Sequence, residues 1–154
     1  MQKTVGIIKP EAIERGLADI ICKRITDSGF TIESQIKKKP TSEEFDLIYG
    51  RVQEPEWLHE ARRDYLTSNE VIFLIVCGED AVKRLLELRG TSDQKQVSTG
   101  TIRGDFAPDQ DYAELRAQKK IALNVFHACD TEEEAKILID HLEGEVKWNV
   151  SLGE

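Results

Sequence analysis

The chain has 154 residues, 32% charged and 40% hydrophobic, the length and balance of a single globular domain with one core. A formal net charge of −8 excludes a sequence-independent nucleic-acid binder, which needs Lys and Arg to neutralise phosphates, yet leaves room for a local basic pocket. Cys22, Cys77 and Cys129 are odd in number and form no CxxC pair, against a disulfide framework or a structural zinc site. The start, MQKTVGIIKP, has no apolar stretch of signal-peptide length, and no run approaches the ~20 residues of a membrane span. A soluble, cytoplasmic protein is expected.

Thr4 to Ile8 reads as a short strand closed by Lys9-Pro10. Leu17, Ile20, Ile21 and Ile25 recur at the spacing of an amphipathic helix that Gly29 ends. Phe30, Ile32 and Ile36 fall on alternate positions, interrupted by Ser34, and predict a half-buried strand. Ser42 to Tyr49 predicts a helix with Ser42 at its N-cap and Glu43 and Glu44 in the first turn. Pro55 to Leu66 predicts a further short helix. Val71 to Cys77 is apolar throughout, the pattern of a central strand buried on both faces. Asp80 is expected to cap a helix with Val82, Leu85 and Leu86 inward, closing near Gly90. Gly90 to Phe106 lacks periodicity, and Asp109 to Lys120 suits a loop or a short surface helix. Ile121 to Ala128 predicts a last strand, and Thr131 caps a final helix through Leu142. Two consecutive β-α-β units of this kind fit an α+β, ferredoxin-like sandwich with a four-stranded antiparallel sheet, spanning 1–154 as one domain.

Three places could carry chemistry. Lys9-Pro10 ends the first strand. TGTIRGDF, residues 99–106, gathers two glycines, a Thr and Arg103, which suits either an ordinary turn or a loop that binds phosphate through backbone N–H groups, a hydroxyl and a guanidinium. No GxxxxGK[ST] is present, so this is not a P-loop. NVFH places Asn124 and His127 at a strand end, where alternation would put Asn124 with Phe126 and His127 with Val125. A neutral imidazole is a good nucleophile near pH 7 and can carry a phosphoryl group without an auxiliary base. His59 and His141 read as surface residues.

VGIIKPEAIERGL, TGTIRGDF and NVFHACD, in this order, resemble the nucleoside diphosphate kinase family, from Gln2 to about Ile139. The resemblance implies ping-pong transfer of the γ-phosphoryl of a nucleoside triphosphate, typically ATP, to a nucleoside diphosphate through a phosphohistidine at His127. It implies Mg²⁺ bound through the nucleotide phosphates, with no protein-bound metal. The implied assembly is a homo-oligomer: a hexamer, or else a tetramer or dimer. By the same resemblance Lys9 and Arg103 supply positive charge to the phosphates, and Asn124 bonds the ribose and its 3′-hydroxyl. Tyr49 reaches the phosphoryl or the Lys9 ammonium, and Ser92 stands where the family has a phosphate-contacting Thr. The base stacks on an aromatic ring; counting from Pro55 gives Glu56 for that position, counting from Tyr65 gives Leu58, and Trp57 between them is the expected ring.

The sequence departs from the family at Leu86, where a phosphate-binding Arg is usual, with Arg84 or Arg89 as possible stand-ins. It departs again at Leu138, where a Glu orients the imidazole, with Glu134 one turn earlier. Ala128 and Cys129 replace a Gly and a Ser. Ala107 to Ile121 is longer than the usual connection. A weakened nucleotide-binding domain on the same fold is the alternative these losses leave open.

Overall fold

The computed structural model describes residues 1–91 and 99–152, with side chains to Glu145. Four strands form one sheet in the order β2-β3-β1-β4: β1 (Gln2–Ile8), β2 (Thr31–Lys38), β3 (Val71–Gly78) and β4 (Phe126–Ala128). Every neighbouring pair is antiparallel. This is the ferredoxin-like arrangement, and the fully apolar run Val71 to Val76 lies in an interior strand as its composition predicts. The helices are α1 (Pro10–Glu14), α2 (Ala18–Asp27), α3 (Ser42–Tyr49), α4 (Glu56–Thr67), α5 (Ala81–Arg89), α6 (Ile102–Phe106), α7 (Tyr112–Ala117) and α8 (Glu132–Leu152).

Strand alternation splits the core in two. Ile8, Leu74, Val76, Phe126 and Ala128 face one way, against Ile21 and Ile25 of α2 and Ala81 and Leu85 of α5. Val5, Ile7, Phe73 and Ile75 face the other way, against Phe45 and Tyr49 of α3, Leu66 of α4 and Leu138 and Leu142 of α8. Burying one such large side chain contributes about 1.5–3 kcal/mol, so both helical layers are held chiefly by area removed from water. A charged cluster ties β2 to α3 and α8 within the second layer: Lys38 donates to buried Glu44 (2.9 Å) and to Glu145, while His141 lies 3.1 Å from Glu44. His141 is thus engaged rather than merely solvated.

Several local readings change. Thr41, not Ser42, is the N-cap of α3; its hydroxyl accepts from Glu44 N while Glu44 accepts from Thr41 N, a capping box. Asp80 sits before α5 in a left-handed conformation and makes no side-chain cap; Gln2 Oε1 accepts from Val82 N instead. The interruption at Ser34 is a bulge, with the register slipping between Ile32 and Ser34. The final helix continues well past Leu142. The last strand is shorter than expected, beginning only at Phe126, for a reason that shapes the site.

A candidate active site around His127

Pro10 at the first position of α1 stops β1 and leaves Lys9 at the N-cap, in extended conformation. Lys9 N donates to Val125 O (2.9 Å), and its ammonium donates to Asn124 Oδ1 (2.5 Å). Val125 has φ +61°, and Phe126 N reaches back to Asn124 O (2.7 Å), closing a three-residue γ-turn. A β-branched residue held at positive φ costs about 1–3 kcal/mol, so the surroundings must impose it. Glu11 does so. Its Oε1 accepts from Val125 N (3.1 Å) and its Oε2 from the Tyr65 hydroxyl (2.6 Å), in a side chain almost closed to solvent. Burial and the bond to Glu11 push the Tyr65 phenol above its ordinary value.

The γ-turn breaks the expected alternation. Simple strand geometry separates Asn124 from His127, whereas the turn brings both to the lining of one cavity of about 460 Å³. Phe126 turns to the opposite face and packs on Gly6, where a β-carbon would lie 2.4 Å from Phe126 Cζ. His127 sits in β4 opposite Ile7, its ring 5.1 Å from that of Tyr49 at the end of α3. Among the described residues neither ring nitrogen has a hydrogen-bond partner.

Among the described residues six basic side chains line this cavity: Lys9, Arg62, Arg89 and Arg103, with Arg116 and Lys120 on the wall beyond α6. Arg103, from α6, donates through Nε (3.1 Å) and Nη2 (2.9 Å) to Phe126 O, clamping the residue before His127. Thr101 starts α6 by accepting from Gly104 N. Arg89 donates to Gly90 O (3.0 Å) and lies 3.9 Å from Asp130. Burial, then repulsion from Arg103, lowers the Lys9 ammonium to about 7. Burial, then Arg89, lowers Arg103 to about 10. Burial pushes Tyr49 up to about 12. Burial first, then Lys9, Arg103, Arg89 and Arg62, hold His127 well below its ordinary range, so its imidazole is neutral at pH 7.

Lys9, Tyr49, Arg103, Asn124 and His127 are therefore brought together. Ser92 falls outside the described residues. Trp57 does not line the cavity. Leu58, Arg62, Tyr65 and Leu66 do, and they make one helical stripe on α4 from which Trp57 is turned by about 100°. Leu86 packs against both core layers rather than lining the cavity. Arg84 is engaged elsewhere, bonded to Ser28 O (2.6 Å) and Glu79 O (2.9 Å), so Arg89 is the arginine of α5 that reaches in. Leu138 is buried in the core, and Glu134 accepts from Asp130 N (3.0 Å) at the start of α8.

The long connection after α6 forms a wall of the cavity. Gln110 pinches its base, donating to Leu123 O (2.7 Å) and accepting from Leu123 N (3.0 Å). Asp111 caps α7 by accepting from Glu114 N, and Tyr112, Leu115 and Arg116 line the opening. Asp111-x-x-Glu114 is an N-cap signature that predicts this helix; Arg62 could have been found from its four-residue spacing to Leu58.

Fold and site together define a ferredoxin-like α/β protein whose cationic cavity encloses a neutral histidine. Comparison makes the assignment specific: the model of the family described as nucleoside diphosphate kinase matches residues 2–142, and the chain belongs to that family. It is 35% identical over 136 residues to a nucleoside diphosphate kinase of Campylobacter hominis, covering 88% of this chain and 90% of the relative. It is 33% identical over 138 residues to one from Streptococcus pneumoniae, covering 88% and 95%. The Aquifex aeolicus nucleoside diphosphate kinase structure superposes with TM-score 0.74 at 28% identity, covering 92% of this chain and 94% of that one. A Borrelia burgdorferi nucleoside-diphosphate kinase, solved with vanadate and ADP, shares the fold at TM-score 0.79 and 23% identity, covering 88% and 82%.

Proposed function

We propose that this chain moves the γ-phosphoryl group of a nucleoside triphosphate, typically ATP, onto a nucleoside diphosphate through His127. The observation that carries the reading is a neutral histidine sharing a cavity with six basic side chains. An imidazole nitrogen bonds to the γ-phosphorus as the bond from phosphorus to the β-phosphate oxygen breaks, and the diphosphate leaves. A terminal oxygen of a second diphosphate then takes the phosphoryl group from the ring. Because the ring is neutral, its lone pair needs no base to free it. Phosphoryl transfer asks little else of a protein than in-line positioning and charge around the equatorial oxygens, and Lys9, Arg103 and Arg89 supply the charge. In this reading Asn124, whose Oδ1 accepts from Lys9, also bonds the ribose hydroxyls.

Mg²⁺ enters this scheme with the nucleotide. Among the described residues the cavity offers only two carboxylates: Glu11, whose two oxygens are taken, and Asp130 beside Arg89. That set does not suit a resident ion, whereas a Mg²⁺ held mainly by substrate phosphates fits. Glu44, His141 and Glu145 gather elsewhere, around Lys38. Assembly into a homo-oligomer belongs to the same reading and is measurable by light scattering.

Incubation with γ-labelled ATP and Mg²⁺ tests the proposal. An acid-labile, base-stable phosphoenzyme that chases onto a diphosphate is expected. A wild type that never labels, or a His127→Ala variant that labels equally, refutes it.

A further inference from the structure

Arg62 is a cavity cation on α4 that neither the motifs nor the family pattern supply. It stands on the α4 stripe with Leu58, Tyr65 and Leu66, its side chain 25% exposed. Its guanidinium lies over the Tyr49 ring, 4.9 Å from the centroid; the Lys9 ammonium lies 6.0 Å from the same centroid, and the His127 ring 5.1 Å away. Tyr49 is thus a platform with two cations on it and the histidine beside it.

Among the described residues Arg62 has one charged partner outside the cavity, Glu54 Oε2 at 3.2 Å. Glu54 is itself shared, its Oε1 lying 2.9 Å from His59 Nδ1. A guanidinium has five N–H donors, and among the described residues one ion pair and one ring contact leave several of them for a ligand. A residue serving only to pack α4 gains nothing from standing among Lys9, Arg89 and Arg103, whose charges repel it. An incoming polyphosphate removes that repulsion.

We propose that Arg62 is a phosphate-positioning residue, seated over the Tyr49 ring and held by Glu54 until a nucleotide binds, and that it supplies charge that Leu86 does not. This rests on the reading of the cavity as a nucleotide site. The Tyr49 ring and the Glu54 pair already restrain the Arg62 side chain, so little side-chain freedom is lost when phosphate oxygens arrive.

Calorimetric titration of adenosine and Mg·ADP into wild type, Arg62→Leu, Arg62→Lys and Glu54→Gln, each first checked by thermal melting, decides the matter. Arg62→Leu should weaken ADP binding about ten- to hundredfold and leave adenosine within a factor of about two. Arg62→Lys should recover part of the loss, and Glu54→Gln should leave ADP binding unchanged or tighter. Equal losses for adenosine and ADP would make Arg62 a base-slot or packing residue and overturn the proposal. An unchanged ADP affinity, or a Glu54→Gln loss as large as that of Arg62→Leu, would overturn it too. A wild type that binds no ADP overturns the nucleotide reading together with this one. A wild type that binds ADP but forms no phosphohistidine overturns only the transfer step, and the Arg62 comparison still decides its role.

Discussion

Binding a nucleotide should draw a proton from solution, because Lys9 is short of one. Its ammonium is held down to about 7 by burial first and by Arg103 next. At pH 8 only about one-tenth of the molecules carry that proton. A polyphosphate beside Lys9 replaces repulsion with attraction and returns the group towards its ordinary 10.5. The uptake at pH 8 is then about 0.9 proton per ADP, falling to about 0.1 at pH 6. His127 starts well below its usual range and stays neutral at pH 8, so it adds little. Titrating Mg·ADP in two pH 8 buffers of different ionisation enthalpy measures the number directly, and Lys9→Met should abolish it. The same shift makes free-protein stability rise with pH: from about 7 to 10.5 the unfolded chain holds a proton that the folded chain does not. Lys9→Met should therefore melt higher than wild type near pH 7 while losing nucleotide affinity. Binding heats independent of buffer at pH 8 would refute the account of Lys9.

Glu11→Leu strands the buried Val125 N and the half-buried Tyr65 hydroxyl, and should cost about 1–3 kcal/mol in chemical denaturation, with a fall in kcat as the γ-turn relaxes. Gly6→Ala drives a methyl into the Phe126 ring and should cost about 1–3 kcal/mol, read as a lower Tm. Lys119 occupies the left-handed position after α7 at φ +54°, with Lys120 N bonded to Leu115 O; Lys119→Gly should stabilise that end by about 1 kcal/mol, seen as slower exchange of the Lys120 amide. Tyr112→Ala should raise KM for nucleotides several-fold with little change in Tm, since the ring is part of the cavity wall but not of either buried core layer.

The sheet was legible because its strands obey simple patterns: Val71 to Val76 is apolar on every residue, and β1 ends at a proline. That Lys9, Arg103, Asn124 and His127 lie together was legible through three short motifs, each placing its residue at a strand end or the start of a short helix. The relation between Asn124 and His127 was not. Period-two alternation assumes extended backbone, and the γ-turn at Val125 is imposed by Glu11, over a hundred positions earlier in the chain. Trp57 attracted notice as an aromatic, but the rotation of α4 is set by Leu66 in the core, and that rotation presents Leu58 and Arg62 to the cavity. The N-cap of α3 slipped by one residue because Thr41 and Ser42 are equally able caps, and only the reach of Glu44 separates them.

The Gln110–Leu123 pair has a consequence for how this family can change. One side chain supplies to Leu123 both bonds that a neighbouring strand would, so the two ends of the extension meet at a fixed point. What lies between, residues 111–122, can lengthen or shorten at a closure cost of only about 0.6 kcal/mol per doubling. The γ-turn, Lys9 and His127 stay below that knot, untouched. Insertions there are thus a cheap way to reshape the mouth of the cavity while its floor keeps its chemistry, and divergence among relatives should concentrate above the knot.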